Sequence, residues 1–565
     1  MSTEQPQPQS PAEHPHTEVD EVANNHWRSV VAMSPMLATA LGHEEHQDEY
    51  DDLSPAGLEA SHRLTLATLD ALDQAMPTDE NDRITVAAMR NRLGLQAEAH
   101  DKGMDLLSLN GIASGPHAVR EVYDAMPTQT PDQWQAIARR LKAVEPALAG
   151  WLESQRASID AGIAPARRQV RLLADQISSW TGPHGFFAEH MNRAAKADLP
   201  SSVLTQVREG IEAATAAYDA TAAALRTEID PLATDVDAVG VERYRLASRE
   251  FLGSTVDLAE TYEWGQQELA RIEELQRQTA EKIRPGADVA EAMEILDADP
   301  AYRIHGTDDL KAWMQERADT AIRALQGSHF DIPEPALTVE AMIAPTHDGG
   351  VYYTPASEDF SRPGRMWWSV PEGVDSFTTW RELTTVHHEG VPGHHLQTSA
   401  ATANRDQLND WRRNCWISGH GEGWALYAEW LMADLGFMDD PGHFMGLLDG
   451  QAMRAARVVL DIGVHCGFDT PAELGGGPWD WDAAWTFFNR HVSMDEGSAR
   501  FEVNRYFGWP GQAPAYKLGE RLWLDLREAA RARDPQGFDL KAFHTEALGL
   551  GGLPLDVLRS AMLNR

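Results

Sequence analysis

The sequence predicts a large, mainly α-helical protein with two lobes and one small β-sheet beside the helices that carry its chemistry. Two observations predict this fold. From about residue 56 to residue 330, apolar residues recur at three-to-four spacing, which is the period of amphipathic helices. Near residue 337 the pattern changes to short runs of β-branched and aromatic residues, which are typical of strands. We therefore expect helices to dominate, with the sheet just before the most informative segment of the chain.

The first half of the chain reads as a series of helices separated by clear breaks. The helical period is plain in residues 203–218 and again in residues 258–275. Proline and glycine interrupt it, because proline removes a helical donor and glycine favours turns. These breaks fall at Ser114-Gly115-Pro116, Gly182-Pro183 and Arg284-Pro285-Gly286.

The second half combines strand and helix patterns. The strand candidates are Leu337-Thr338-Val339, Gly350-Val351-Tyr352-Tyr353-Thr354 and Met366-Trp367-Trp368-Ser369-Val370. The helix candidates are Thr378–Gln397, Gly421–Leu435, Ala452–Val464 and Leu518–Ala532.

These patterns divide the chain into three parts. Residues 1–22 are polar and acidic and are predicted to be a disordered tail, since they offer little apolar surface to bury. Residues 23–335 are expected to form a helical N-terminal lobe. Residues 336–565 are expected to form a catalytic-type lobe with the small sheet, and the two lobes are expected to make one integrated body.

Composition excludes some classes of function. The formal net charge is −39, which argues against nucleic acid or an anionic membrane as partner, because both require clustered Lys and Arg. The two cysteines, Cys415 and Cys466, are too few for a thiolate metal cage, and whether they pair stays open. The N-terminus lacks a basic segment followed by an apolar one, and no run of about 18 apolar residues occurs. We expect a cytoplasmic protein, and the oligomeric state stays open.

The segment Val386–Gln397 holds four imidazoles and one carboxylate, the groups from which zinc sites are built. It departs from the H-E-x-x-H pattern, in which two histidines share one helix face. His388 and His394 are six residues apart and face different ways on an ideal helix, and His388 and His395 lie about 10 Å apart along it. Pro392-Gly393 can bulge out of the helix and bring two histidines together. The segment therefore predicts a zinc site with His388 and either His394 or His395 as ligands, His394 being our assignment.

A glutamate downstream is expected to complete this site. Glu422 follows His394 by 28 residues, enough for a helix, a turn and an antiparallel return. Glu429 follows seven residues later and faces the same way, two turns along the helix. We predict one Zn²⁺ per chain, bound by His388, His394 and Glu422. Glu389, next to a ligand, can take a proton from water activated by the ion and is the predicted general base.

Six segments carry a resemblance to a known family. They are His388–Gln397, Glu422–Glu429, Arg505-Tyr506 with Pro510-Gly511-Gln512-Ala513, Tyr516-Lys517-Leu518-Gly519, Arg454–His465 and Gly349–Pro355. Together they resemble the bacterial family called domain of unknown function 885, over roughly residues 25–560. That family is similar to the gluzincin metallopeptidases, which are mainly helical. The resemblance implies a metallopeptidase-like fold with zinc held by two histidines and a glutamate, and a peptide as the substrate.

Further residues acquire candidate roles from this resemblance. Hydrolysis through a tetrahedral intermediate needs a donor for the developing oxyanion. Tyr516, Tyr506 and His465 are of the types used for it in similar enzymes. Arg505 or Lys517 can hold a substrate carboxylate.

The strand around Tyr352 and Tyr353 has a candidate role in binding the substrate backbone. The segment Gly349–Tyr353 is a candidate edge strand, along which an extended peptide adds by main-chain hydrogen bonds. A purely structural strand is the alternative.

Three functions are compatible with this pattern. The leading hypothesis is hydrolysis of peptide bonds by zinc-activated water with Glu389 as general base. A non-catalytic protein that binds metal or peptide on the same scaffold is the first alternative. A non-haem iron enzyme with a two-histidine, one-carboxylate triad is the second, although such sites commonly lie on β-rich scaffolds.

Overall fold

The computed structural model describes residues 16–344 and 350–564, and these are mainly α-helical. The helices of the first part are α1 (Glu18–Met33), α2 (Pro35–Ala40), α3 (Pro55–Gln74), α4 (Glu80–Asp101), α5 (Gly115–Ala125), α6 (Pro131–Lys142), α7 (Val144–Asp160), α8 (Arg167–Trp180), α9 (Phe186–Lys196), α10 (Ser201–Ala224), α11 (Val241–Leu252), α12 (Leu258–Ile283), α13 (Val289–Ala298) and α14 (Thr307–Leu325). The helices of the second part are α15 (Thr379–Glu389), α16 (His394–Ala403), α17 (Asp410–Asn414), α18 (Ser418–Asp434), α19 (Pro441–Cys466), α20 (Trp481–His491), α21 (Glu496–Gly508), α22 (Ala515–Arg533), α23 (Leu540–Gly549) and α24 (Leu555–Leu563).

Two small sheets precede the histidine segment. The strands are β1 (Arg303–His305), β2 (Val339–Ile343), β3 (Val351–Thr354), β4 (Gly364–Trp368) and β5 (Ser376–Thr378). β4 is central in a three-stranded sheet, parallel to β2 and antiparallel to β3. This is the predicted sheet. The ribbon of β1 and β5 was not predicted, because strands of three residues are too short to show a period.

The predicted disordered tail, residues 1–22, overlaps the first helix. Of the range 1–22, residues 1–15 lie outside the described part of the chain, and α1 already begins at Glu18. Thr17 caps this helix by accepting a hydrogen bond from the backbone of Asp20, whose side chain accepts one from the backbone of Thr17 in return. Val19 and Ala23 are fully buried, so the acidic start of the chain contributes an apolar helix face to the core.

The apolar core does not divide at residue 335. One cluster of buried residues runs from Leu109 to Ala233 and holds together helices α5 to α10. The larger cluster combines α1, α3 and α4 with most of the chain after residue 240, and it includes Tyr262, Val386, Trp424 and Leu558. The parts of the predicted N-terminal lobe outside residues 109–233 therefore share their core with the half that holds the histidine segment.

Two helix pairs form the frame around the histidine segment. α12 packs along α19, and α18 packs along α22. The second pair approaches closely because Gly423 faces Gly519, where a Cβ would meet the Cα of the opposite glycine at 2.5 Å. Among the described residues, no helix is both long and apolar enough to cross a membrane. Cys415 and Cys466 are free thiols.

Candidate metal centre

The histidine segment forms two helices with a break between them. α15 ends at Glu389 and α16 begins at His394, across a cis peptide bond between Val391 and Pro392. The sequence had predicted one helix with a bulge, so this is a correction. The break is closed by a hydrogen bond of 3.1 Å from the amide of Gly393 to the carbonyl of His387. A side chain at Gly393 would overlap the carbonyl oxygen of His388, so the break requires glycine there.

The break brings the three predicted ligands together. One ligand atom each from His388, His394 and Glu422 lies within 4.8 Å of the others. The Nε2 atoms of His388 and His394 lie 3.3 Å and 3.4 Å from the same carboxylate oxygen, Oε2 of Glu422. His388 ends α15, His394 begins α16, and Glu422 lies in the first turns of α18.

The two distances from the histidine nitrogens to Glu422 fit a zinc ion. With metal–ligand bonds of about 2.0–2.1 Å, two ligands of a tetrahedral site lie about 3.3–3.4 Å apart. Hydrogen bonds between nitrogen and oxygen are usually shorter, at about 2.7–3.2 Å. Two imidazoles and one carboxylate are a donor set that zinc accepts, and three protein ligands leave a position for water or substrate. The residues present therefore fit the metal that the sequence predicted.

A second carboxylate, that of Glu429, contacts the ring nitrogen of His388 that faces away from Glu422. Oε1 of Glu429 lies 2.7 Å from Nδ1 of His388, and its Oε2 accepts a hydrogen bond of 2.6 Å from Thr384. Arg454 approaches the same carboxylate at 3.5 Å. A ligating histidine commonly donates its other N–H to such a partner, which fixes the tautomer and the ring orientation. Glu429 therefore presents Nε2 of His388 to Glu422 and His394.

The electrostatics of this cluster favour a cation. Burial opposes the charged form of His388, but the carboxylates of Glu422 and Glu429 prevail and raise the pKa of the ring to about 10. Burial also opposes ionisation of Glu422, yet hydrogen bonds from His388 and His394 keep the pKa of its carboxyl well below the usual range. Carboxylates that attract a proton to His388 attract a divalent ion to the same place.

Glu389, the predicted general base, lies at this cluster. Its side chain is buried, and burial raises the pKa of the carboxyl, while the nearby charges of His388 and His394 lower it. Arg454 is a further positive charge near the same carboxyl.

Tyr516 also lies near the cluster, at the start of α22. Burial and the charge of Glu422 raise the pKa of its phenol, which keeps the hydroxyl protonated at neutral pH. The guanidinium groups of Arg457 and Arg505 lie 5.1 Å and 5.9 Å from the centre of its ring. Of the three predicted oxyanion donors, Tyr516 is the one whose surroundings include a predicted metal ligand.

The other two predicted oxyanion donors are engaged elsewhere, which corrects their assignment. The hydroxyl of Tyr506 is fully buried, donates to Glu502 and accepts from Arg457. His465 is also fully buried, with Nε2 at 2.7 Å from the carbonyl of Tyr506 and Nδ1 accepting from the backbone of Val239. Both side chains support the packing of α19 against α21.

The two predicted substrate-binding cations differ. Lys517 is buried, and its ammonium lies within 2.9 Å of Gln451, Glu520 and Glu268. These three partners use its donors, so its assignment to a substrate carboxylate is corrected to a structural one. Arg505 donates to Glu502 at 3.3 Å and Gln512 at 2.5 Å, and its largely buried side chain, 13% exposed, lies beside Tyr516.

The predicted edge strand is β3, an outer strand of the described sheet. Gly349, which the prediction included, lies outside the described residues. Tyr352 is exposed and stacks on Trp367. Tyr353 points to the other face, where its hydroxyl lies 2.9 Å from Nδ1 of His395.

His395 is not at the centre of the cluster. Its Nδ1 contacts Tyr353, and its Nε2 lies 2.9 Å from the carbonyl of Ala336. Both ring nitrogens therefore have protein partners, and the geometry favours His394 as the second ligand.

Three residues of the site were not assigned a role from the sequence. For Glu429 the signal was available, since it lies two turns after Glu422 on the same helix face. Arg454 opens a segment that carries the family resemblance, but sequence gives no sign that it meets Glu429. Trp416 lies against His394, with ring centres 5.6 Å apart, and nothing in its local sequence indicated that contact.

Comparison with known proteins identifies the family. The profile of the family described as "Bacterial protein of unknown function (DUF885)" matches residues 35–562. The chain belongs to this family. No curated protein matches the sequence.

Two solved structures share the fold. One is "the putative lipoprotein from Colwellia psychrerythraea", with a TM-score of 0.83 and 22% identity, covering 96% of this chain and 98% of that one. The other is "a putative lipoprotein of unknown function from Shewanella oneidensis", with a TM-score of 0.73 and 16% identity, covering 96% and 99%. At these identities the likeness shows the fold alone. The cytoplasmic location expected from the sequence stays a prediction.

Proposed function

We propose that this protein is a zinc-dependent hydrolase of peptide bonds, related in its site to the gluzincin metallopeptidases. The observation that carries the proposal is the convergence of His388, His394 and Glu422 within 4.8 Å, with both histidine nitrogens 3.3–3.4 Å from one oxygen of Glu422 and Glu389 directly after His388. When bound there, zinc would supply Lewis-acid activation of water and of the scissile carbonyl.

Residues of the chain carry out the other parts of the reaction. Glu389 accepts the proton of the attacking water and passes it to the leaving amine, because its carboxylate lies beside the ligands without being one of them. Glu429 holds His388 in the ligating tautomer. Tyr516 donates a hydrogen bond from its hydroxyl to the developing oxyanion, and Arg505 beside it attracts a substrate carboxylate.

The two alternatives make different predictions. A non-haem iron enzyme would copurify with iron and would need no base at residue 389. A non-catalytic binding protein would hold zinc and peptide without turnover. Metal analysis of the purified protein separates the first alternative, and peptide turnover separates the second.

The test is the variant Glu389→Gln. Glutamine keeps the size of the side chain but cannot accept a proton. We expect about one zinc per chain in both proteins, and hydrolysis of a peptide library reduced by roughly 10²- to 10⁴-fold in the variant, the usual worth of a positioned base. Rates are compared at matched zinc content.

Glu382→Gln is the matched control, because Glu382 lies two turns earlier on the same helix and accepts a hydrogen bond from Trp368 that glutamine can also accept. We expect wild-type turnover from it. Equal rates for Glu389→Gln and wild type would remove Glu389 from the mechanism and contradict the proposal.

A further inference from the structure

Trp416 is an exposed aromatic side chain beside the metal-ligand cluster. It lies in the connection between α17 and α18, and 51% of its surface is accessible to solvent. Other tryptophan side chains, such as Trp424 and Trp523, are fully buried. A half-exposed indole next to the buried His394 and the partly buried Glu422 therefore offers apolar surface to a molecule that enters from solvent.

The fold seats this ring against both ligand-bearing elements. Its centre lies 5.6 Å from that of His394 at the start of α16. On the other side it rests on α18 at Gly421, the residue before Glu422, where a Cβ would meet Cζ3 of the indole at 2.7 Å. Glycine at this position leaves the space that the ring fills. Trp416 is thus fixed by the same two helices that supply two of the three predicted ligands.

The position of Trp416 beside His394 determines which part of a bound peptide it can contact. The carbonyl carbon that is attacked belongs to the residue just before the cleaved bond. The Cα atom of the residue just after that bond lies about 3.8 Å from the Cα atom of the first. The side chain of one of these two residues can therefore contact the indole of Trp416, which packs against the ring of the predicted ligand His394. Charged groups near the cluster include Glu389 and Arg454.

We propose that Trp416 forms an apolar subsite and selects peptides with an aromatic or large aliphatic residue next to the cleaved bond. The inference rests on the proposed peptidase function and adds its substrate class. The indole face packs on the substrate side chain, while Gly421 and His394 support the ring from behind.

The first arm of the experiment measures selectivity. Wild type, Trp416→Ala and Trp416→Phe are assayed with paired peptides that carry Phe or Gly immediately before, or immediately after, the cleaved bond. We expect Trp416→Ala to lower kcat/KM for the preferred Phe peptide by roughly 10-fold, the size of one lost aromatic contact, and to change the Gly peptide by less than about 3-fold. Trp416→Phe retains most of the selectivity, and zinc content stays at the wild-type level.

Phe501→Ala is the matched control, since Phe501 is 50% exposed on α21. Its selectivity is expected to equal that of wild type. A Trp416→Ala variant that loses zinc, or that slows both peptides equally, would show that Trp416 only covers His394, and the inference would be overturned.

The second arm separates this inference from the proposed function. Binding of the same peptides is measured by calorimetry in the Glu389→Gln background, with and without Trp416→Ala. If wild type cleaves no peptide but Phe peptides still bind more tightly through Trp416, the peptidase proposal fails and the subsite stands. If wild type cleaves peptides and Trp416→Ala leaves both binding and cleavage preference intact, the subsite fails and the peptidase proposal stands.

Discussion

Glu429 shows how a single buried carboxylate can orient a candidate metal ligand. It is fully buried, and it engages His388, Thr384 and Arg454 at once. Burying a carboxylate is costly unless it is paired and hydrogen-bonded, so each of these partners also stabilises the charge. The orientation of His388 is therefore tied to the packing between α15, α18 and α19.

The first prediction at the residue scale is the effect of Glu429→Gln. The amide keeps the shape but removes the charge that favours a donated proton from His388. We expect zinc affinity to fall by roughly 10- to 100-fold, as is usual for partners of ligating histidines. The measurement is a zinc titration against a competing chelator.

Glu520→Gln is the control, because Glu520 is also a buried helix glutamate but pairs with Lys517. It is expected to bind zinc like wild type. Equal affinities for Glu429→Gln and Glu520→Gln would mean that His388 does not depend on Glu429.

The second residue-scale prediction separates the two adjacent histidines. His394→Ala removes a nitrogen that points at Glu422, and we expect zinc content to fall far below one per chain. His395→Ala removes contacts to Tyr353 and Ala336 and should keep zinc near one per chain. Metal analysis after dialysis against metal-free buffer measures both. The reverse result would assign the second ligand to His395.

At the scale of elements, the site depends on where one helix ends and the next begins. Helical periodicity predicted the helices around the site: α19 and α22 contain the predicted ranges, and α18 ends one residue before the predicted Leu435. It could not predict the end of α15, because Pro392-Gly393 indicated a disturbance of the helix but not whether the helix bulges or ends there. The break instead comes from Gly390 to Gly393, where the chain folds back and the amide of Gly393 reaches the carbonyl of His387.

The prediction for this element is the effect of Gly393→Ala. The added methyl group would overlap the carbonyl oxygen of His388 at the end of α15, so the break must open. Since His388 and His394 lie on opposite sides of it, their nitrogens would separate. We expect loss of most zinc binding together with a lower melting temperature, measured by metal analysis and circular dichroism.

Gly94→Ala is the control for Gly393→Ala. Gly94 is in the interior of α4, and a Cβ there meets nothing within 4 Å. This variant is expected to bind zinc normally and to be as stable as wild type or more so, because alanine favours a helix. Full zinc binding by Gly393→Ala would show that the break does not set the spacing of the ligands.

At the scale of the whole molecule, the helical class and the small sheet could be predicted from the sequence. The way in which the buried residues divide into separate core clusters could not. Helical periodicity indicates which face of a helix is buried, but it does not indicate which other helix packs against that face. Val19 near the N-terminus and Met562 near the C-terminus belong to one cluster, which no local pattern reveals. The same limit applies to the site. The three candidate ligands were visible as residue types. The partners of Lys517, Tyr506 and His465 include residues from distant segments, which are Gln451 and Glu268 for Lys517, Arg457 for Tyr506 and Val239 for His465.

The last prediction concerns a buried ion cluster that joins α19 to α21. Glu502 pairs with Arg457 at 2.8 Å and with Arg505 at 3.3 Å. Burial disfavours its charged form, but the two guanidinium charges prevail and lower the pKa of the carboxyl from 4.5 to about 2. A group whose pKa is lowered on folding stabilises the native state above its unfolded pKa and loses that contribution as pH falls towards the folded value.

Glu502→Gln should therefore destabilise the protein by about 3 kcal/mol at pH 7, since it leaves two buried cations without their carboxylate. As pH falls from about 4.5 towards 2, the wild type loses this advantage and the two free energies of unfolding converge. Urea unfolding at a series of pH values measures the difference, with Glu496→Gln as a control on the same helix, because Glu496 pairs with Arg500 at the exposed surface and such pairs contribute little. A difference between wild type and Glu502→Gln that stayed constant from pH 7 to pH 3 would show that the charge of Glu502 does not bind α19 to α21.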